Sequence, residues 1–431
     1  MHKPLRTVLS YVQKETLPRD WTLVSVGDVL LGTQYGMNCP SVDDGTTAIV
    51  GMKDIQDGRV LSQNLAKTNV SEDELESYRL RRGDLLLNRT NSLDQVGKVG
   101  LVDADRDDVF ASYLVRLNVN TALIEPEYLN YWLNSDLAQR TIKRIATPAI
   151  GQANVNPTEF QKYCLVPLPP KAARVRITNM LRTWDKGIEK TERELSLVRK
   201  QFVGIQQGLL SEAHFTKAGW KIQPLSEITD RVRRKTDGGD HAVMTISGKA
   251  GFLRQDEKFS RYMAGVSVEN YTLLKAGEFA YNKGNSKTYP QGCIYRLEQD
   301  TALVPHVYIS FRLHDGLYAD FYAALFRSGF LNRQLARLIN SGVRNDGLLN
   351  LNIHEFFGCK VPVPSMDDQV RTARLITVAR QEVTSLESQI RLMKKQKDGL
   401  IQKLLAGEWR VPVRDSDVDA MAARVAEEAA Q

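Results

Sequence analysis

The sequence has no close pair of cysteines. Cys39, Cys164, Cys293 and Cys359 stand alone, which excludes a zinc ribbon or a Cys-x-x-Cys redox motif and argues against a disulfide framework. The six histidines are scattered, and none pairs across a helix face with a glutamate between, so neither a metal nor a cofactor is expected. No apolar run approaches the roughly 18 to 20 residues of a bilayer span. The opening MHKPLRTVLSYVQKETLPRDW contains no signal-peptide hydrophobic stretch, so a cytoplasmic protein without a membrane partner is expected. Catalytic signatures are missing too. The nearest approach to the Asn/Asp-Pro-Pro-aromatic loop that holds a flipped base is Asn156-Pro157-Thr158-Glu159, which lacks it. No G-x-x-x-x-G-K-[ST] run is present to cradle phosphates, and no spaced carboxylate and lysine cluster suggests a nuclease centre. The chain therefore reads as non-catalytic.

What is present is a repeat. A chain of 431 residues has room for two to four domains, and self-similarity decides how they divide. GDLLLNRTNS (Gly83 to Ser92) returns as GEFAYNKGNS (Gly277 to Ser286), an offset of 194; YCLVPLPP (Tyr163 to Pro170) returns as GCKVPVPS (Gly358 to Ser365), placing Cys164 on Cys359 at an offset of 195. NPTEF (Asn156 to Phe160) answers NIHEF (Asn352 to Phe356), and LPRDWTLVSVGDV (Leu17 to Val29) answers AGWKIQPLSEIT (Ala218 to Thr229), so Trp21 corresponds to Trp220. A truncated third start is Gly407-Glu408-Trp409. Within each copy, short β-type runs such as DLLLN and YLVRL accompany a helix-like stretch, YLNYWLNSDLAQRTIKRIA, which predicts an α/β or α+β domain.

After each Pro-rich boundary the pattern becomes a sustained alternation of three and four. The first stripe is Ile177, Leu181, Trp184, Ile188, Thr191, Leu195, Val198, Phe202, Ile205 and Leu209. The second is Ile376, Ala379, Val383, Leu386, Ile390, Met393, Lys397, Leu400 and Leu404. Such a narrow stripe is the seam of a coiled coil, and each helix finds its economical partner in the other. Antiparallel pairing would send the two domains to opposite ends, related by a pseudo-twofold axis. Some 35 helical residues at about 1.5 Å each span roughly 50 Å, the length of about 15 base pairs. The expected division is 1–170, first domain; 171–212, first long helix; 213–366, second domain; 367–407, second long helix; and 408–431, tail.

In its Leu-Pro-x-x-Trp opening, Gly83 to Leu86, the glycine-Gln-x-Asn stretch Gly151 to Asn154, the VPLPP and VPVP strand ends, and helices finishing in GLLSE and KLLAGEW, the chain resembles the specificity subunits of Type I restriction–modification systems. The resemblance runs from Leu17 to about Trp409. One departure is that the Glu-Gln commonly following the proline pair is Lys171-Ala172-Ala173-Arg174 in the first copy, while the second keeps only Gln369. The resemblance implies two target-recognition domains, each reading one half of a split sequence in double-stranded DNA. It also implies spacer helices that dock two methyltransferase subunits, with motor-nuclease (restriction) subunits joining the complex.

The formal net charge of +7 is consistent with a polyanion partner. DNA affinity rests on Lys and Arg at phosphates, specificity on Arg, Lys, Asn and Gln at base edges. Candidates in the first copy are Lys53, Arg81, Arg82, Asn88, Arg89, Lys98, Gln152 and Asn154; in the second they are Lys249, Lys283, Asn285, Lys287, Arg344 and Asn345. Asn88 and Asn282, aligned by the repeat, are expected to be structural, as are the paired cysteines. The competing readings are a coiled-coil scaffold with two protein-binding domains and, less favoured by the missing motifs, a stand-alone enzyme.

Overall fold

The computed structural model describes residues 17–248, 250–255, 268–284, 289–339 and 349–412. They form two compact units. One comprises the chain up to Thr191 together with the segment from Gln389 onward; the other is Glu192–Ser388.

In the first unit a six-stranded sheet runs in the order Leu30–Tyr35, Leu114–Val119, Leu85–Asn88, Val99–Leu101, Arg59–Val60, Ile55–Gln56. Its inner strand, Leu85–Asn88, is buried along its whole length, which explains why the sequence there is an unbroken apolar run instead of an alternating one. The second unit repeats the central order with Thr229–Arg231, Ile309–Leu313, Phe279–Asn282 and Cys293–Arg296. A two-stranded ribbon closes each unit: Thr22–Ser25 pairs antiparallel with Leu165–Leu168, and Lys221–Pro224 with Lys360–Val363.

The duplication extends to single hydrogen bonds. Tyr128 and Tyr322 are buried, and their hydroxyls donate to the carbonyls of Pro167 (2.9 Å) and Pro362 (3.2 Å). Asn156 and Asn352 each cap the short helix that follows, the first with Pro157 at the position where a missing N–H is harmless. At the turn after the proline pair, Gln369 donates to the Pro364 carbonyl at 3.0 Å. Arg174, 195 positions earlier, donates to the Pro169 carbonyl at 2.8 Å, so the departure at Lys171 to Arg174 keeps the contact and changes the residue that makes it. Arg174 also pairs with Glu125 and reaches the Leu123 carbonyl.

The long helices are Lys171–Leu209 and Met366–Leu405. In the first unit Asp185 pairs with Lys397, Gly187 lies close to the Met393 methyl, and the Thr191 hydroxyl contacts the Met393 sulfur. In the second, Arg199 pairs with Glu387 at 2.6 Å, and the Arg380 guanidinium lies 5.5 Å from the Phe202 ring centroid. Within each unit the partner number falls as the other rises, so the helices run antiparallel, with a mixed α/β domain at their side. The seam residues Ile177, Leu181, Ile188, Leu195, Ile376, Leu386, Ile390 and Leu404 are buried, and Trp184, Val198, Phe202, Ile205, Val383, Met393 and Leu400 are half-buried. Leu404 and Leu405 join the core of the first unit around Trp21, as Leu210 and half-buried Leu209 join that of the second around Trp220. No described helix is long and apolar enough to cross a membrane.

Candidate nucleic-acid interface

The inner strand of the first unit ends at Asn88, and several polar candidates collect around that end. Asn88 is 2% exposed. Its N–H donates to the Lys98 carbonyl and its carbonyl accepts from the Gly97 N–H, both at 2.8 Å, while its side-chain amide faces the carbonyl of Met52, next to Lys53. Asn88 thus ties two basic loops to one strand end. Gly97 has φ +88°, and a Cβ there would stand 2.4 Å from Ile142, so this tight turn requires glycine. Lys53 is exposed and Lys98 half-buried.

Arg89 leaves the strand with its guanidinium 5.1 Å from the Tyr35 ring centroid; its N–H donates to the Tyr113 carbonyl, and its own carbonyl accepts from the Val155 N–H. The strands Thr90–Asn91 and Gln152–Asn154 pair antiparallel beside it, and the Thr90 hydroxyl donates to Asn154 Oδ1 at 2.6 Å. Gln152 is exposed just beyond Gly151 (φ +71°), at the tip of a hairpin whose Ile150 is fully solvent-exposed. Arg89 thus sits beside an aromatic ring, and Asn154 is held in place by Thr90.

Two aromatic residues at this surface escaped the sequence reading. Tyr35 and Tyr113 are both about half exposed, and each contacts Arg89 through its ring or carbonyl. A signal existed for Tyr113, since Tyr308 stands 195 residues later. Tyr308, however, is buried and bonded to Thr245.

Arg81 and Arg82 are not part of this cluster. They precede the strand, at its opposite end, about 13 Å away for four residues of strand. Arg81 pairs with Glu76 at 2.7 Å, and the Arg82 N–H donates to Asp105. Beneath them, buried Arg116 pairs with Asp84, whose carboxyl is pushed up by burial despite the Arg81 N–H and the Arg116 charge.

In the second unit Lys283 follows the strand Phe279–Asn282 as Arg89 follows its own, and its carbonyl accepts from the Leu349 N–H at 2.9 Å, the counterpart of the Arg89 and Val155 bond. Asn282 donates to the Ile246 carbonyl and accepts from the Gly284 N–H. Lys249, Asn285, Lys287, Arg344 and Asn345 lie outside the described residues. Among the described residues no cluster of histidine, cysteine and carboxylate side chains could hold a metal. Cys164 and Cys359 are buried, and burial pushes their thiols up to about 12 and about 11.

No family model matches the sequence. Among curated proteins, the chain is 24% identical over 286 residues to the putative type I restriction enzyme MjaX specificity subunit of Methanocaldococcus jannaschii, covering 65% of this chain and 63% of that one. It is 20% identical over 434 residues to the MjaVIII specificity subunit of the same organism, covering 92% and 94%. The S subunit of a Type-I restriction-modification system from M. genitalium superposes with a TM-score of 0.56 at 14% identity over 90% of this chain and 98% of that one. In sequence and in fold the chain is similar to Type I specificity subunits. The Escherichia coli EcoBI specificity subunit aligns over 42% of its own length at 23% identity, so the chain spans less than two thirds of the MjaX and EcoBI subunits. A chain from a structure of type I R-M complex assembly and conformational transition has the same fold, with a TM-score of 0.54 at 16% identity. The specificity-subunit fold accounts for the mixed α/β units and the antiparallel helices together, and the scaffold alternative gains nothing from these likenesses.

Proposed function

We propose that this chain is the DNA-reading subunit of a Type I restriction–modification complex in the cytoplasm and performs no chemistry itself. Residues 1–170 and 213–366 act as target-recognition domains for the two halves of a bipartite duplex site, and 171–212 and 367–407 as the spacer helices. Two methyltransferase subunits dock on the spacer, and restriction subunits join them.

The observation that carries this reading is the duplicated strand end, with Arg89 and Lys283 leaving equivalent strands next to equivalent asparagines, Asn88 buried and Asn282 half-buried. A basic residue at a strand end, flanked by polar hairpin residues, suits base-edge and phosphate contacts. In the first unit Lys53, Arg89, Lys98, Gln152 and Asn154 form the reading surface, with Tyr35 and Tyr113 as packing partners. Docking of two like partners is supported by the outer faces of the helices, where exposed Met180 and Leu197 recur as exposed Leu375 and Leu392, each at an offset of 195. Exposed apolar side chains in matching positions suit two copies of one protein.

The test is a methylome. Host genomes with and without this gene are compared by single-molecule sequencing, and the reading requires one bipartite motif to lose its modification. An unchanged set of modified sites overturns it.

A further inference from the structure

Because the long helices carry the same three-and-four apolar seam at an offset of 195, each is able to pair with its own counterpart in a second chain. Most of the seam offers no discrimination against that. Aligned at 195, Leu181 answers Ile376, Ile188 answers Val383, and Leu195 answers Ile390, all apolar in either pairing.

One contact differs. In the first unit Lys397 Nζ lies 2.5 Å from Asp185 Oδ1, with the two side chains only 15% and 17% exposed. Tyr131 donates its hydroxyl to the other Asp185 oxygen, and its ring lies 5.5 Å from the Lys397 ammonium. The repeat carries Asp185 onto Arg380 and Lys397 back onto Phe202, and those two residues meet in the second unit as a cation over a ring. The same seam position is thus built as an ion pair in one unit and as a cation–π contact in the other.

Homotypic pairing in this register satisfies neither. Two second helices from different chains would set Lys397 against Arg380, cation against cation. Two first helices would press the Asp185 carboxylate onto the Phe202 ring with no cation beside it. Only the pairing of a first with a second helix leaves every charge matched.

We propose that the Asp185 and Lys397 pair, together with Arg380 and Phe202, is a pairing-specificity device that excludes like-with-like pairing of the long helices between two copies of the chain. It does not depend on the proposed DNA reading.

The decisive variant is a charge exchange in the full chain, Asp185→Lys with Lys397→Asp. The internal ion pair survives, but a carboxylate now faces Arg380 when second helices meet, and an ammonium faces Phe202 when first helices meet. Parent and variant are refolded from denaturant at equal concentration, and mass is read by size exclusion with light scattering. The parent refolds as a monomer, and the variant raises the dimer fraction roughly tenfold or more, the effect of relieving about 1.4 kcal/mol of like-charge contact. A variant that melts with the parent yet stays equally monomeric overturns the proposal. If the exchange does not fold, Asp185→Arg with Lys397→Phe reproduces the second unit's contact in the first and carries the same two outcomes.

Discussion

Arg174 shows how a residue that breaks a sequence pattern can preserve the contact the pattern stands for. The side chain is 8% exposed, and its three donors serve Glu125, Pro169 and Leu123 where the first domain meets its long helix. Removing it strands a carboxylate and two carbonyls, so Arg174→Ala is expected to cost about 2–3 kcal/mol, below the roughly 3–5 kcal/mol of a fully buried pair because Glu125 keeps partial solvent contact. A urea midpoint unchanged from the parent, at unchanged slope, would discount this. The sequence showed a missing glutamine but could not show that an arginine of similar reach sits at the same offset doing the same job. The cysteines were more legible, because their paired positions at strand ends are where small apolar side chains are buried. Native-state thiol titration is expected to reach Cys39 and Cys293 before Cys164 and Cys359. Burial holds the Cys164 thiol near 12 against an ordinary 9.0, so the folded state disfavours the thiolate, and the neutral thiol's contribution to stability is complete below about pH 9 and declines as pH rises toward 12. Equal labelling rates for all four thiols would contradict that burial.

The elements most legible in the sequence were those with a period. The two long helices declared themselves through the three-and-four spacing, because a coiled-coil seam is a local pattern that owes little to distant parts of the chain. The sheet was legible only in outline. Strands of two residues, such as Thr90–Asn91 and Val109–Phe110, are too short to carry alternation and form only because longer neighbours present them with a paired edge. The outer faces of the helices were not legible at all, since exposed leucines among charged residues look like noise until they recur at one offset. Leu197 and Leu392 are 65% and 56% exposed, so a polar replacement costs little in folding. Leu197→Asp and Leu392→Asp are each expected to leave the melting temperature within a few degrees of the parent and to lower the amount of methyltransferase recovered with the chain. The double variant should recover none. Full recovery with the double variant would remove these faces from the docking surface.

At the scale of the molecule, the division into two units with separate cores makes the proposed reading additive. Each unit brings its own strand end, and a change at one leaves the packing of the other untouched. Arg89→Ala removes one cation from the first reading surface, and a base or phosphate contact of this kind is worth about 1–3 kcal/mol, or roughly five- to 150-fold in affinity. The methylome separates the two kinds of contact. If Arg89 reads a base, the methylated motif becomes degenerate at one position in one half while the other half stays as in the parent. If it holds a phosphate, the motif is unchanged, affinity falls for all sites alike, and the slope of binding against salt decreases by about one. Lys283→Ala should produce either effect in the opposite half. Loss of both halves together from a single substitution, in a protein that still melts like the parent, would mean that the units do not read independently. The reading surface would then have to be sought elsewhere than at the duplicated strand ends.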